Sequence, residues 1–129
     1  MKAVFTAIKT AFNVANPFKT AISGRMRYGE APEEWGTLDY AVYMGTGTPA
    51  EDTFDTTIDV INWQIVCIST DSGVAEANVK LAEDLFNGKT LSVTGYQGFR
   101  CRRVNKIPAI KDEEKWMSVV EFEGRLIAT

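Results

Sequence analysis

Along residues 2–14, Val4, Phe5, Ile8, Ala11 and Phe12 recur at helical spacing, while Lys2, Thr6, Lys9 and Asn13 fall on the opposite side. That periodicity predicts an amphipathic helix whose apolar stripe must be covered by a sheet or a partner. Asn16 followed by Pro17 reads as an N-cap with proline at the first helical position, and Gly24 as the C′ residue of a short second helix ending at Ile22. Residues 25–28 then form a short strand. Gly29, Pro32, Glu33, Glu34 and Gly36 mark a polar loop before a strand over 38–44. The stretch 45–55, rich in Gly, Thr, Pro and acidic residues, is too long for a tight turn and too poor in apolar residues to pack by itself. It is expected to be mobile in the free protein and to find its contacts in an assembly.

Residues 56–69 are dense in β-branched and aromatic side chains without an intervening glycine or proline, which predicts the longest strand so far. Ile58, Val60, Val66 and Ile68 share one face of it, and Ile61, Trp63, Ile65 and Cys67 the other, so both faces are largely apolar. Ile61, Trp63 and Ile65 are not all expected to fit beneath the helices, and the remainder would be apolar surface available to an interface. Asp71 or Ser72 caps a helix that runs to Phe86, with Val74, Ala77, Asn78, Leu81, Leu85 and Phe86 as its inner stripe and Asn87-Gly88 as its stop. Strands follow over 91–93, 99–107 and 115–127, separated by Gly95, Gly98 and a charged loop at 111–114. In the last of them Trp116, Val120, Phe122 and Leu126 alternate with Glu121, Glu123 and Arg125, the pattern of a strand with one buried face. The order predicts an α+β fold: an antiparallel sheet with two main helices packed on one face, in a single domain spanning 1–129.

The chain has 129 residues, 45% hydrophobic and 24% charged, within the size of one core and outside the composition of disorder. No apolar stretch is long enough to span a membrane, and the lysine-interrupted N-terminal segment is not a signal peptide. A net charge of -3 argues against general binding to nucleic-acid phosphates or anionic membranes. Histidine is absent, which removes the commonest general base and metal ligand and most of the case for an enzyme. Cys67 and Cys101 show no metal-ligand spacing; they read as buried thiols, with a disulfide between the two strands left open. No metal or cofactor is expected.

Arg100, Arg102, Arg103 and Lys106 form the only basic cluster, and strand parity puts Arg100, Arg102 and Lys106 on one face. Tyr96 and Phe99 flank this cluster without interleaving it, so it fits a solvated face or a salt-bridging subunit contact better than a single-strand nucleic-acid site. The carboxylates Glu30, Glu33 and Glu34, and later Asp52, Asp55 and Asp59, match no calcium loop and read as exposed turn residues. Gly45-Thr46-Gly47-Thr48 lacks the lysine and following helix of a phosphate loop. Trp63 and Trp116 are expected in the core, whereas Trp35 lies in a polar loop that offers it less core to join.

Taken in order, several segments resemble the tail-terminator or tail-completion proteins of long-tailed bacteriophages. They are the opening helix, Ile22-Ser23-Gly24-Arg25-Met26-Arg27-Tyr28, Ala31-Pro32, Tyr40-Ala41-Val42-Tyr43, Trp63-Gln64-Ile65-Val66, the helix 74–86 and the closing run through Val119, Glu121, Glu123 and Arg125. The resemblance implies a virion assembly protein rather than an enzyme, a subunit of a homo-oligomeric ring, commonly a hexamer, at the head-proximal end of the tail. Its implied partners are further copies of itself, the tail tube protein and a head-completion or neck protein, with DNA passing through the pore without specific binding. Trp35, Thr46, Thr48, Phe54, Arg100, Arg102 and Lys106 are the residues expected to carry its interfaces. Another head-to-tail connector or neck protein is the nearest alternative, and a small α+β ligand-binding module the more distant one.

Overall fold

The computed structural model describes residues 2–46 and 58–128. Three helices, α1 (Lys2–Asn13), α2 (Pro17–Ala21) and α3 (Ser72–Phe86), pack with a six-stranded sheet built from β1 (Met26–Tyr28), β2 (Tyr40–Gly45), β3 (Ile58–Ser69), β4 (Thr90–Leu91), β5 (Tyr96–Asp112) and β6 (Lys115–Ala128). The strand order is β1-β2-β3-β6-β5-β4. The fold class is the α+β arrangement that the patterning predicts. The sheet is mixed, however: β1 runs parallel to β2, and the remaining pairs are antiparallel. The reason lies in the connection 29–39, which is a crossover and not a hairpin. Gly29, at φ 79°, turns the chain away from β1, a 3₁₀ turn over Glu33–Trp35 carries it back, and the Trp35 ring settles 5.6 Å from the ring of Tyr40.

Capping follows the sequence signals closely. The Asn16 side chain accepts from the Lys19 amide at 2.8 Å, and Asp71 accepts from Gly73 and Val74 at 2.8 and 3.2 Å. At the end of α2 the Gly24 amide reaches back to the Lys19 carbonyl at 2.9 Å. Ser23 already has φ 51°, so two successive left-handed residues, not the glycine alone, close this helix.

One contiguous core holds Val4, Ile8 and Phe12 of α1, Val79, Ala82 and Phe86 of α3, and Ile61, Trp63, Ile65 and Cys67 of β3. All four of those β3 residues lie on the helix-covered face, so the expected overflow of Ile61, Trp63 or Ile65 does not occur. The Trp63 ring stacks on Phe122 at 4.5 Å and meets Phe86 edge-on at 5.1 Å, filling the space that three helices leave over a curved sheet. The inner stripe of α3 is rotated from the expected one. Ala75, Asn78, Val79, Ala82, Glu83 and Phe86 are buried, while Val74 and Ala77 face outward and Leu81 and Leu85 sit at the margin. Within that stripe Glu83 is buried at the sheet edge, where Arg103 and Lys106 of β5 pair with it.

β5 and β6 form a hairpin longer than predicted, since Gly98 continues β5 and the charged segment tightens to a turn with Glu113 at φ 58°. Register breaks at Tyr96/Gly98, Arg103/Asn105 and Ile107/Ile110 bend it. Pro108 sits in the last break, where a strand tolerates a missing N–H, and the Ala109 amide is captured by Glu76 of α3 at 2.8 Å. Near the other end Phe99 lies flat over Gly124: a Cβ built there would be 1.9 Å from the Phe99 ring.

Candidate assembly surfaces

The basic cluster does not share one face. The bulge between Arg103 and Asn105 reverses the parity beyond it, so Arg103 and Lys106 register with Phe122 and Val120 on the helix side. Arg100 and Arg102 register with Arg125 and Glu123 on the outer side. Lys106 is therefore separated from Arg100 and Arg102, contrary to the parity of an unbroken strand. On the helix side Glu83 forms ion pairs with Arg103 at 2.7 Å and with Lys106 at 3.1 Å, with Lys80 at 3.9 Å. Its side chain is only 9% exposed, so the pairing is strengthened by exclusion of water and holds the bulge against α3. On the outer side Glu123 serves both Arg102 at 3.2 Å and Arg125 at 3.6 Å, leaving Arg100 directly opposite Arg125. This patch has an excess of positive charge.

The rest of the outer face divides in two. One half is polar, with Asn62, Gln64, Glu121 and Asn105, the last donating to Glu121 at 2.8 Å. The other half is apolar: Val42 pairs with Val66, Val66 with Val119, and Ile68 with Met117. Val42 and Ile68 are nearly buried by their neighbours and the hairpin end, where the Lys115 ammonium lies 5.1 Å from the Tyr40 ring centre. Ile110, opposite Met117, remains 58% exposed. The partly exposed apolar residues of this face are Val66, Met117, Val119 and Ile110, whereas Ile61, Trp63 and Ile65 are buried.

Trp35 is half-buried against Tyr40 at the margin of the same face. Thr46 follows the last residue of β2, its amide donating to the Asn62 carbonyl at 2.8 Å. Thr48 and Phe54, with most of the stretch 45–55, lie outside the described residues. The expected interface residues are accordingly spread over three places: Trp35 and Thr46 near β2, Arg100 and Arg102 on the outer face, and Lys106 on the helix side.

A feature the sequence reading passed over is a groove of about 540 Å³ between α1 and the β1 edge, lined by Lys2, Phe5, Thr6, Lys9, Thr10, Tyr28 and Tyr43. Its aromatic floor is continuous, with Phe5–Tyr28 centres 5.0 Å apart and Tyr28–Tyr43 centres 5.4 Å apart. Burial and the neighbouring Tyr28 push the Tyr43 hydroxyl above its ordinary pKa. Burial, Arg27 and Lys19 push the Lys9 ammonium below its own. Only the i,i+4 placement of Lys2, Thr6 and Thr10 with Phe5 and Lys9 hinted at such a surface.

Both cysteines are free and buried. Burial raises the Cys67 thiol strongly and takes Cys101 up to about 12, with Trp63 drawing the latter slightly back. They are packing residues in this fold, not nucleophiles. Among the described residues no three His, Cys, Asp or Glu side chains gather into a metal site, and no helix is long and apolar enough to cross a membrane.

No protein-family model and no curated protein matches this sequence. Among solved structures, a chain from the virion of a native gene transfer agent particle superposes with a TM-score of 0.68, covering 95% of this chain and 93% of its own at 16% identity. A second solved chain, of a protein without a descriptive name, gives a TM-score of 0.65 at 13% identity over 99% of this chain and 95% of its own. At such identities the likeness is one of fold, and it extends across nearly the whole length of both chains.

Proposed function

We propose that this protein is a structural subunit of a phage-like virion, acting by assembly and not by catalysis, and within that class a tail terminator. The observation that carries the reading is the near-complete superposition on a virion chain, with neither protein contributing a large extra element. The surfaces support it. A small domain whose sheet bears an apolar half, a basic patch and an aromatic groove outside its core offers several faces to neighbours. In this role copies form a ring, a hexamer in the resemblance drawn above, that stacks on the last ring of tail tube protein, meets a head-completion or neck protein, and lets DNA pass through its pore. Trp35, Thr46, Thr48, Phe54, Arg100, Arg102 and Lys106 are proposed contact residues.

The deciding experiment is negative-stain electron microscopy of the purified protein over a concentration series, with and without tail tube protein. Rings with a central pore that cap tube ends are expected. Small featureless particles in every condition would overturn the ring. Rings that bind a neck protein but leave tubes uncapped would instead identify another head-to-tail connector.

A further inference from the structure

Charge is segregated along the first part of the chain. Lys2, Lys9, Lys19, Arg25 and Arg27 precede the first carboxylate, Glu30; Glu30, Glu33, Glu34 and Asp39 then follow with no Lys or Arg among them. Among the described residues, none of these five cations and none of these four carboxylates forms an ion pair; every ion pair there joins residues at or beyond Lys80. Lys9 and Lys19 bond instead to the carbonyls of Met26 and Asn13. Burial first, and then Arg27 and Lys19, hold the Lys9 ammonium below its ordinary pKa with no carboxylate offsetting them, so an anion brought into the groove would find unpaired positive charge.

Lys2 and Lys9 line the groove on the helix side of the sheet edge, whereas Arg27 registers with Val42 on the outer side and the Arg25 Nε donates to the Asp39 carbonyl at 2.8 Å. Tyr43, which floors the groove beside Lys2 and Lys9, is on the helix side with Ile65. Trp35, which follows Glu33 and Glu34 in the 3₁₀ turn, packs on Tyr40, which is on the outer side with Ile68. The sheet therefore lies between the groove lysines Lys2 and Lys9 and the Glu33–Trp35 turn within one copy, while two copies placed head to tail bring them together. The polar match is accompanied by an apolar one: Tyr28 in the groove is 54% exposed, and Leu38 on the acidic connection is 49% exposed.

We propose that the α1–β1 groove receives the acidic 29–39 connection of a second copy, with Glu33 and Glu34 facing Lys2 and Lys9 and Leu38 covering the exposed aromatic floor. Such a contact joins two different patches, so it is heterologous, the kind of interface that closes into a ring when the rotation between copies is suitable. The inference deepens the ring reading and rests on it only for closure; the pairing itself is testable alone. Because the charges are exposed, association should weaken as salt is added.

The test uses two charge-reversed variants of the full chain: K2E/T6E, which reverses the groove rim while leaving the Lys9 bond to Met26 intact, and E33K/E34K. Circular dichroism checks that both fold, and sedimentation velocity reads self-association across concentrations. Each variant alone should associate at least tenfold more weakly than the wild type. An equimolar mixture should recover association, because each variant then supplies the surface its partner needs. Wild-type-like association of either variant alone, no association of the wild type, or no recovery in the mixture would overturn the proposal. So would loss of duplex DNA binding by K2E/T6E without any change in self-association, which would make the groove a phosphate site. Rings that persist in both variants under the microscope would leave the ring reading standing and remove this interface. A mixture-dependent dimer without rings would do the reverse.

Discussion

Gly124 shows how much one absent side chain decides. It lies in β6 beneath the Phe99 ring, and any Cβ there would overlap an aromatic carbon. Gly124→Ala should therefore destabilise the protein by about 1–3 kcal/mol, the usual range for overpacking, read as a lower urea midpoint. Adding Phe99→Leu, which shortens the obstructing ring, should recover part of that loss if the overlap is the cause. Glu83 is the counterpart on the polar side. Glu83→Gln keeps the shape but removes the charge shared by Arg103 and Lys106, and should cost about 1–3 kcal/mol by the same assay, with the loss reduced in Arg103→Gln. The thiols give a pH signature. Burial raises their native pKa above the ordinary 9.0, so the unfolded chain loses these protons first and rising pH then shifts the balance toward it. Stability should be unaffected below about pH 8 and should fall from about pH 9 upward. Denaturant midpoints of Cys67→Ala should show a shallower fall over the same range.

At the scale of elements, helix ends are set locally and helix faces are not. Asp71→Ala should lower stability by about 1 kcal/mol, because two amides of the first turn of α3 lose their acceptor, and urea unfolding should show it. The cap, the start and the stop of α3 were all legible in the sequence, since each depends on residues within a turn of one another. The buried face was not: Val74 and Ala77 look apolar enough to face inward, yet Glu83 lies under the sheet because cations distant in sequence neutralise it. The same holds for β5. Alternation places Lys106 with Arg100 and Arg102, and a single bulge residue, Val104, moves it to the other face. Bulges are set by pairing with a neighbour strand, which periodicity along one strand does not encode.

For the whole molecule, the order of helices and strands was enough to predict a small α+β domain, the absence of histidine and the acidic balance argued against catalysis and general nucleic-acid binding, and the resemblance implied assembly. The structure adds where surface is left over once the core is filled, and there the sequence reading misplaced it. β3 is apolar on both faces, and Ile61, Trp63 and Ile65 were not all expected to fit on the helix side; they do, with Trp63 stacked on Phe122 and edge-on to Phe86, and the partly exposed apolar patch on the outer face comes from Val66, Met117 and Val119. What the sequence determined by itself is what short-range chemistry controls: caps, turn residues, strand and helix content, and the charge carried by each segment. Only the tertiary structure decided which charges meet. It brought Arg103 and Lys106 to Glu83, turned the 29–39 connection into a crossover, and set an acidic surface and a basic groove back to back across one sheet edge, because those relations depend on strand order and register, which are fixed by contacts between residues far apart in the chain.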